Sequence, residues 1–281
     1  MNQTTAPMTE PQVKYITKLA RKQMSRIGFV YFAGTILLVA LELSLSMLFL
    51  FGNPDGDYDS SILIFFNLIL RFILGYPLML CLIHLVKKGK PIPQKKMKAG
   101  SVFIAFFMAY AMAMITNIIG LLLTSIINAF QSGVDTTNLQ DTLLALPSVW
   151  LVLFVCVGAP IFEELIFRKA LVDRAIYCGE GIAIAMSGVM FGLFHGNLNQ
   201  FVYAAALGAF FAFIYVRTGK IRYTMILHAM VNSMGTIGTQ LLKLLSEGTD
   251  GYILGTEVLT LVSSPDLYGL LKDPLSGVMY L

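Results

Sequence analysis

The sequence predicts an all-α membrane protein, a polytopic bundle of seven to eight transmembrane helices. Hydrophobic residues make up 57% of the chain and charged residues only 13%, whereas soluble domains contain about 25% charged residues. The apolar residues also lie in long uninterrupted runs, and a helix needs about 20 mostly apolar residues to span a bilayer. Strands of a membrane barrel would instead alternate apolar and polar residues over segments of about ten residues.

Seven apolar runs are candidates for spanning helices, and an eighth at residues 252–271 is weaker. The seven lie at residues 27–51, 61–86, 100–130, 143–167, 181–196, 199–217 and 222–245. The first run is too long for the core of a signal peptide and lacks a cleavage site, so we interpret it as a retained span. Pro77, Pro147 and Pro160 lie inside these runs and are expected to kink or start helices, because proline lacks a backbone N–H.

The connecting segments predict the orientation of the bundle, since cytoplasmic loops are rich in lysine and arginine. Residues 1–26 and 87–98 are strongly basic, whereas residues 52–60 and 131–142 contain aspartate and no lysine or arginine. We therefore expect a cytoplasmic amino terminus in the plasma membrane. The acidic loops are expected on the opposite side.

The domain organisation follows from the same pattern. We expect residues 1–26 to form a cytoplasmic segment and residues 27–281 a single transmembrane domain. Three basic residues after the fourth run, Arg168, Lys169 and Arg174, are interpreted as part of another cytoplasmic connection.

The net charge of +4 is explained by this orientation and does not indicate affinity for nucleic acid. The expected partners are the lipid bilayer and a membrane-associated polypeptide. Cys81, Cys156 and Cys178 are odd in number and lack C-x-x-C spacing, so a disulfide framework is not expected.

Charged residues inside spans are costly and are therefore candidates for function or for pairing. Glu42 and Arg71 fall in the first two spans at compatible depths, and we interpret them as a structural ion pair, because buried charges are normally paired. His84 lies at a helix end beside Lys87 and is interpreted as an interfacial residue.

The second half of the chain concentrates polar residues on apolar helices in a way that packing does not explain. These are Glu163, Glu164, Arg168, His195, His228 and Asn232. Glu164 precedes Arg168 by four residues, the favoured order for an ion pair within a helix. Glu163 is rotated by about 100° from Glu164, so it can face the bundle interior without that partner and act as a general base.

Two further spacings place side chains on common helix faces. Phe191 precedes His195 by four residues, so its ring can pack against the imidazole, and Gly188, Gly192 and Gly196 permit close helix approach. His228 and Asn232 are also four apart. They could act as two donors for an oxyanion or as two ligands of a metal.

These residues resemble the three motifs of the CPBP family, the CAAX proteases and bacteriocin-processing enzymes that include type II CAAX prenyl endopeptidases. The motifs are E-E-x-x-x-R from Glu163, F-x-x-x-H from Phe191 and H-x-x-x-N from His228, within a core at residues 150–235. The resemblance implies that Glu163 activates water with help from His195. It also implies that His228 and Asn232 stabilise the oxyanion while Glu164 and Arg168 brace the site.

The sequence leaves open whether the site needs a cofactor. The site can be interpreted as metal-free, or Glu163, His195 and His228 could supply three ligands to a divalent metal such as zinc. Cys156, two helical turns before Glu163, is a weaker candidate ligand.

The predicted function is that of an intramembrane endopeptidase acting on membrane-associated or lipidated polypeptides. The alternative is a non-catalytic membrane protein, either a carrier or a bacteriocin self-immunity factor, that uses the same polar cluster for binding. One difficulty concerns depth. With a fourth span ending at residue 167, Glu163 would lie near the cytoplasmic end of its helix, whereas His195 would lie about 22 Å along the fifth.

Overall fold

The computed structural model describes residues 9–52, 60–89, 91–130, 150 and 152–247. Within these ranges the chain forms seven helices and no strand, which confirms the all-α class. The predicted loops at residues 52–60 and 131–142 lie almost wholly outside the described residues. The predicted eighth helix at residues 252–271 lies outside them altogether.

The first half of the chain forms three long helices. α1 spans Glu10–Gly52. α2 begins as Ser60–Leu70, passes through a π-helical turn at Arg71–Gly75 and ends as Tyr76–Ile83. α3 spans Ala99–Phe130.

The helix that carries the two adjacent glutamates, α4, changes its winding along its length. A π-helical stretch at Val152–Gly158 leads into the α-helical turn Ala159–Glu164, which starts with Pro160. A second π-helical stretch, Leu165–Val172, follows directly. Short turns at Asp173–Ala175 and Ile176–Cys178 complete it. Such π-helical segments are rare and occur often at functional sites.

Three more helices enclose α4. They are α5 at Glu180–Phe194, α6 at Leu198–Thr218 and α7 at Ile221–Glu247. A turn through Gly196, which adopts a φ of +71°, and Asn197, whose side chain accepts from the N–H of Gln200, joins α5 to α6.

Four of the described helices are long and apolar enough to cross a membrane: Glu10–Gly52, Ile62–Ile83, Ala99–Phe130 and Leu198–Thr218. Large apolar side chains on the outer surface are widely exposed, as at Phe29, Phe51 and Phe130. Such a surface suits hydrocarbon, so the protein is an integral membrane protein.

α1 is longer than its apolar run. The run predicted a helix start near residue 27, but the helix begins at Glu10. Pro11 lies in the first turn, where proline is tolerated, and the lysine, arginine and glutamine residues that follow favour helical backbone. The basic residues of the amino-terminal segment therefore lie on the same helix as the first apolar run.

α4 extends beyond the predicted end at residue 167, and this corrects the assignment of a basic connection there. Arg168 and Arg174 are 0% and 2% exposed. Arg174 donates to the backbone carbonyls of Val86 and Ala170 at 2.7 and 2.9 Å. Both arginines are interior residues rather than loop residues.

The close packing of α5 on α6 depends on two of the three predicted glycines. A Cβ atom at Gly188 would lie 2.6 Å from the carbonyl oxygen of Ala205, and one at Gly192 would lie 2.7 Å from that of Phe201. The prediction was wrong for Gly196, where a Cβ would meet nothing. Its positive φ instead allows the chain to turn after α5.

Candidate active site

Glu163 and Glu164 both lie in the interior of the bundle although they are adjacent on α4. Glu163 is 8% exposed and Glu164 is fully buried. Their carboxylates point in different directions, as the helical rotation predicted. Each therefore has its own set of partners.

Glu164 is held by a cation on one side and a histidine on the other. Arg168 Nε lies 3.1 Å from Glu164 Oε2, and both side chains are fully buried, which confirms the predicted ion pair. The Arg168 guanidinium also lies over the ring of Phe191, 4.5 Å from its centroid. The other carboxylate oxygen, Oε1, lies 3.0 Å from Nδ1 of His228.

His228, on α7, links the two glutamates. Its Nδ1 faces Glu164, and its Nε2 lies 3.8 Å from Oε2 of Glu163. The rings of Phe191 and Phe211 pack on the imidazole with centroids 5.7 and 5.6 Å away. Because Glu164 accepts a hydrogen bond at Nδ1, the proton belongs on Nδ1, and Nε2 faces Glu163.

Asn232 follows one turn after His228 and is tied to the backbone of α4. Its side-chain nitrogen donates to the carbonyl of Val155 at 2.9 Å. A carbonyl in a π-helical stretch normally accepts from the N–H five residues later. For Val155 that residue is Pro160, which has no N–H. The Asn232 amide thus gives Val155 a donor in place of the N–H that Pro160 lacks.

His195 lies at the carboxyl end of α5, where the helix stops at the Gly196 turn. Its Nδ1 lies 2.8 Å from the carbonyl oxygen of Phe191, and the two rings meet edge to face at 4.9 Å, which confirms the predicted ring contact. A carbonyl can only accept, so the proton of the neutral ring is on Nδ1 and Nε2 carries the free electron pair.

The depth difficulty disappears because α4 continues to Cys178. Glu163 then lies 15 positions before the end of α4, and His195 lies 15 positions after Glu180. At about 1.5 Å per residue both are roughly 22 Å from the same end of the bundle. Glu163 is accordingly near enough to interact electrostatically with His195.

Two residues of α2 reach the same cluster, and the sequence did not predict it. The hydroxyl of Tyr76 donates to Oε1 of Glu163 at 3.0 Å. Glu163 was expected to face the interior without Arg168 as a partner, and the structure agrees, but the Tyr76 hydrogen bond was not expected. The sequence contained one signal for this contact: Tyr76 lies in the middle of an apolar run, and a buried phenol usually requires a hydrogen-bond partner.

The second residue is Arg71. It forms the predicted ion pair with Glu42 through two hydrogen bonds, Nε to Oε1 at 2.8 Å and Nη2 to Oε2 at 3.0 Å. The pair joins α1 to α2 and also lies near the candidate site, because Arg71 interacts electrostatically with both Tyr76 and Glu163. His84, in contrast, is exposed at the end of α2, as expected of an interfacial residue.

A metal site would need several ligand side chains that converge on one point. No group of three His, Cys, Asp or Glu residues in the described ranges is arranged to hold a metal ion, and Glu163, His195 and His228 are within those ranges. One nitrogen of His228, Nδ1, is bonded to Glu164, and the other, Nε2, faces Glu163. Cys156 contacts Thr236 Oγ1 at 3.6 Å, so its sulfur is directed at α7.

The segment that carries the candidate site matches a known protein family. Residues 145–234 match the family model described as type II CAAX prenyl endopeptidase, Rce1-like. That range contains all three motifs, from Glu163 to Asn232. The resemblance predicted from the motifs is therefore confirmed, while Glu42, Arg71 and Tyr76 lie outside the matched residues.

Two curated relatives are similar to the chain over part of its length. YdiL of Bacillus subtilis (strain 168), described by its name as a membrane peptidase, is 34% identical over 38% of this chain and 45% of its own length. CAAX prenyl protease 2 of Homo sapiens is 30% identical over 40% of this chain and 43% of its own length. The chain thus spans less than half the length of either relative. No solved structure matches it.

Proposed function

We propose that this protein is an intramembrane endopeptidase that hydrolyses peptide bonds of membrane-associated or lipidated polypeptides with water activated by Glu163. The observation that carries the proposal is the contact of Glu163 with His228 at 3.8 Å inside a helical bundle. Residues from three separate motifs, on three helices, surround that contact. The match of this segment to a prenyl endopeptidase family supports the same chemistry.

Glu163 is the proposed general base. Of the two adjacent glutamates, Glu163 is the one that does not pair with Arg168. Its carboxylate can therefore accept a proton from water. The water oxygen then attacks the carbonyl carbon of the scissile bond. The proton held by Glu163 passes to the nitrogen of the leaving amine as the C–N bond breaks, so no other reactant is consumed.

His195 is proposed to assist in this proton transfer. Its Nδ1 is bonded to the Phe191 carbonyl, which leaves the Nε2 electron pair available to a water molecule. A base within reach of the attacking water contributes about 10²–10⁴ in rate.

His228 and Asn232 are the proposed oxyanion donors. To donate, the Nε2 atom of His228 must carry a proton while Nδ1 keeps the one that it shares with Glu164. Asn232 uses one amide hydrogen for Val155, and its second hydrogen is the one that would reach the substrate oxygen.

Glu164, Arg168 and Phe191 are proposed as supporting residues. The ion pair holds Glu164 in place so that it orients His228, and Phe191 contacts both histidine rings and the Arg168 guanidinium. None of the three needs to touch substrate. They act by fixing the groups that do.

The cellular setting is proposed from the basic and acidic connecting segments. The protein would lie in the plasma membrane with its amino terminus in the cytoplasm. Residues 27–281 would form one transmembrane domain that carries the motif core at about 150–235. The similarity to two proteins named as peptidases does not favour the carrier or immunity alternative.

The direct test uses purified protein in liposomes and two fluorogenic peptides, one farnesylated at a C-terminal CAAX sequence and one identical but unprenylated. We expect cleavage that is lost in Glu163→Gln. Cleavage of the farnesylated peptide alone would assign a prenyl preference. If mass spectrometry finds no product from either peptide, or if Glu163→Gln cleaves as fast as the parent, the proposed function is wrong.

A further inference from the structure

Tyr76 connects the first half of the chain to the candidate base. It lies on α2, outside the segment that matches the endopeptidase family, and its side chain is buried. Its hydroxyl donates to Oε1 of Glu163 at 3.0 Å. The opposite carboxylate oxygen, Oε2, is the one that faces His228.

The phenol ring is held by three aromatic neighbours from α2, α4 and α5. Phe72 meets it edge to face at 5.0 Å, Phe162 stacks on it at 5.4 Å and Phe194 lies 6.1 Å away. A ring held in this way leaves the hydroxyl little freedom. The direction of its hydrogen bond to Glu163 is therefore set by packing.

The backbone of α2 is arranged to place Tyr76 there. A π-helical turn at Arg71–Gly75 directly precedes it, and Pro77 begins the next helical segment. Gly75 is buried against the side chain of Leu38 on α1, so α1 and α2 pack closely there. The turn, the proline and the glycine all lie within one helical turn of Tyr76.

A charged pair lies behind the tyrosine. Arg71, which is bonded to Glu42 on α1, interacts electrostatically with both Tyr76 and Glu163. Two hydrogen bonds join Arg71 to Glu42, so its direct partner is that carboxylate. Oε1 of Glu163 receives its hydrogen bond from the Tyr76 hydroxyl instead of from Arg71.

We infer that Tyr76 is a positioning residue for Glu163. Its hydroxyl holds Oε1 so that Oε2 faces His228 and the position of the attacking water. This inference rests on the proposed function and extends the site to α2, in the half of the chain that the family match does not cover. Misplacing a reacting group by about 1 Å can lower a rate by roughly 10²-fold.

Tyr31 supplies a matched control. It is 2% exposed, as is Tyr76, and its hydroxyl also donates to α4, to the carbonyl oxygen of Ile166 at 2.6 Å. Its ring packs on Phe167 at 5.8 Å. Tyr31→Phe therefore removes a comparable buried hydrogen bond without touching Glu163.

The experiment compares kcat and KM of Tyr76→Phe and Tyr31→Phe with those of the parent on the farnesylated CAAX peptide, alongside thermal unfolding in detergent. We expect kcat to fall about 10- to 100-fold in Tyr76→Phe with KM changed less than about twofold. Tyr31→Phe should lose similar thermal stability and keep the parent kcat.

Three results would overturn the inference: an unchanged kcat in Tyr76→Phe, an equal loss of kcat in Tyr31→Phe, or a Tyr76→Phe protein that does not fold. The last would show that the hydroxyl serves the fold itself. The proposed function fails separately, when the parent cleaves neither peptide or Glu163→Gln retains full activity.

Discussion

The Nδ1 atom of His228 lies 3.0 Å from Oε1 of Glu164. Two neighbouring carboxylates therefore act on a single imidazole, because Nε2 of the same ring lies 3.8 Å from Glu163. Glu164 sets which nitrogen carries the proton, and Glu163 faces the nitrogen that can exchange one. The two adjacent glutamates thus have different roles, because each faces a different nitrogen of the same imidazole.

Glu163 and Glu164 are expected to respond differently to the same substitution. Glu163→Gln should lower hydrolysis by about 10²–10⁴ with little effect on folding, because an amide still accepts the Tyr76 hydrogen bond. Glu164→Gln should lower thermal stability as well as activity, since it leaves Arg168 without a counter-charge, and breaking a buried pair costs about 3–5 kcal/mol. Rates and thermal unfolding in detergent test both. Equal stability with activity lost only in the Glu164 variant would reverse the assignment.

Asn232→Ala should lower kcat by about 10²–10³, the usual cost of losing one oxyanion donor. The same change also removes a link between α7 and α4, so a control is needed. Thr236→Val provides it, because Thr236 lies one turn after Asn232 on α7, contacts Cys156, the residue next to Val155 on α4, and belongs to none of the motifs. A similar loss of kcat in both variants would mean that Asn232 serves only to hold α7 against α4.

Gly192→Ala should disturb the site, because Gly192 lies about one helical turn before His195 on α5. The new Cβ would lie 2.7 Å from the carbonyl oxygen of Phe201, so α5 must move away from α6 and carry His195 with it. Gly181→Ala, on the same helix, meets nothing within 4 Å and should remain fully active. Kinetics and thermal unfolding of the two variants are compared, and identical behaviour would contradict the packing argument.

Metal removal should leave hydrolysis unchanged. The described residues offer no group of three His, Cys, Asp or Glu side chains positioned to hold an ion. Activity with and without a chelator, together with elemental analysis of the parent and of His228→Ala, tests this. A stoichiometric metal in the parent that is lost from His228→Ala would assign a metal to Glu163, His195 and His228 instead.

The orientation of the bundle is expected to follow its charges. In a protein with Cys81, Cys156 and Cys178 replaced, single cysteines at Asp57 and Lys95 should react with an impermeant thiol reagent from opposite sides of the membrane. The reason is the aspartate-rich composition of one segment and the lysine-rich composition of the other. Labelling of both positions from one side would contradict the predicted cytoplasmic amino terminus.

The amino-acid sequence by itself determined the helical class, the membrane location and the identity of the motif residues. These properties depend on local patterns. An apolar run long enough to span a bilayer is visible without a fold, and the i,i+4 spacing of Glu164 and Arg168 or of Phe191 and His195 places each pair on one face of a helix wherever that helix lies.

Only the tertiary structure decided how the helices meet. The contacts of Tyr76 with Glu163, of His228 with Glu164 and of Asn232 with Val155 join residues 64 to 87 positions apart in the chain. No local pattern specifies them. They depend on where α4 ends, on the π-helical turns that rotate side chains within α2 and α4, and on glycines that let helices approach. Some buried polar groups find a partner one turn away on their own helix, as Glu164 does in Arg168. The rest must find one on another helix, because lipid supplies none.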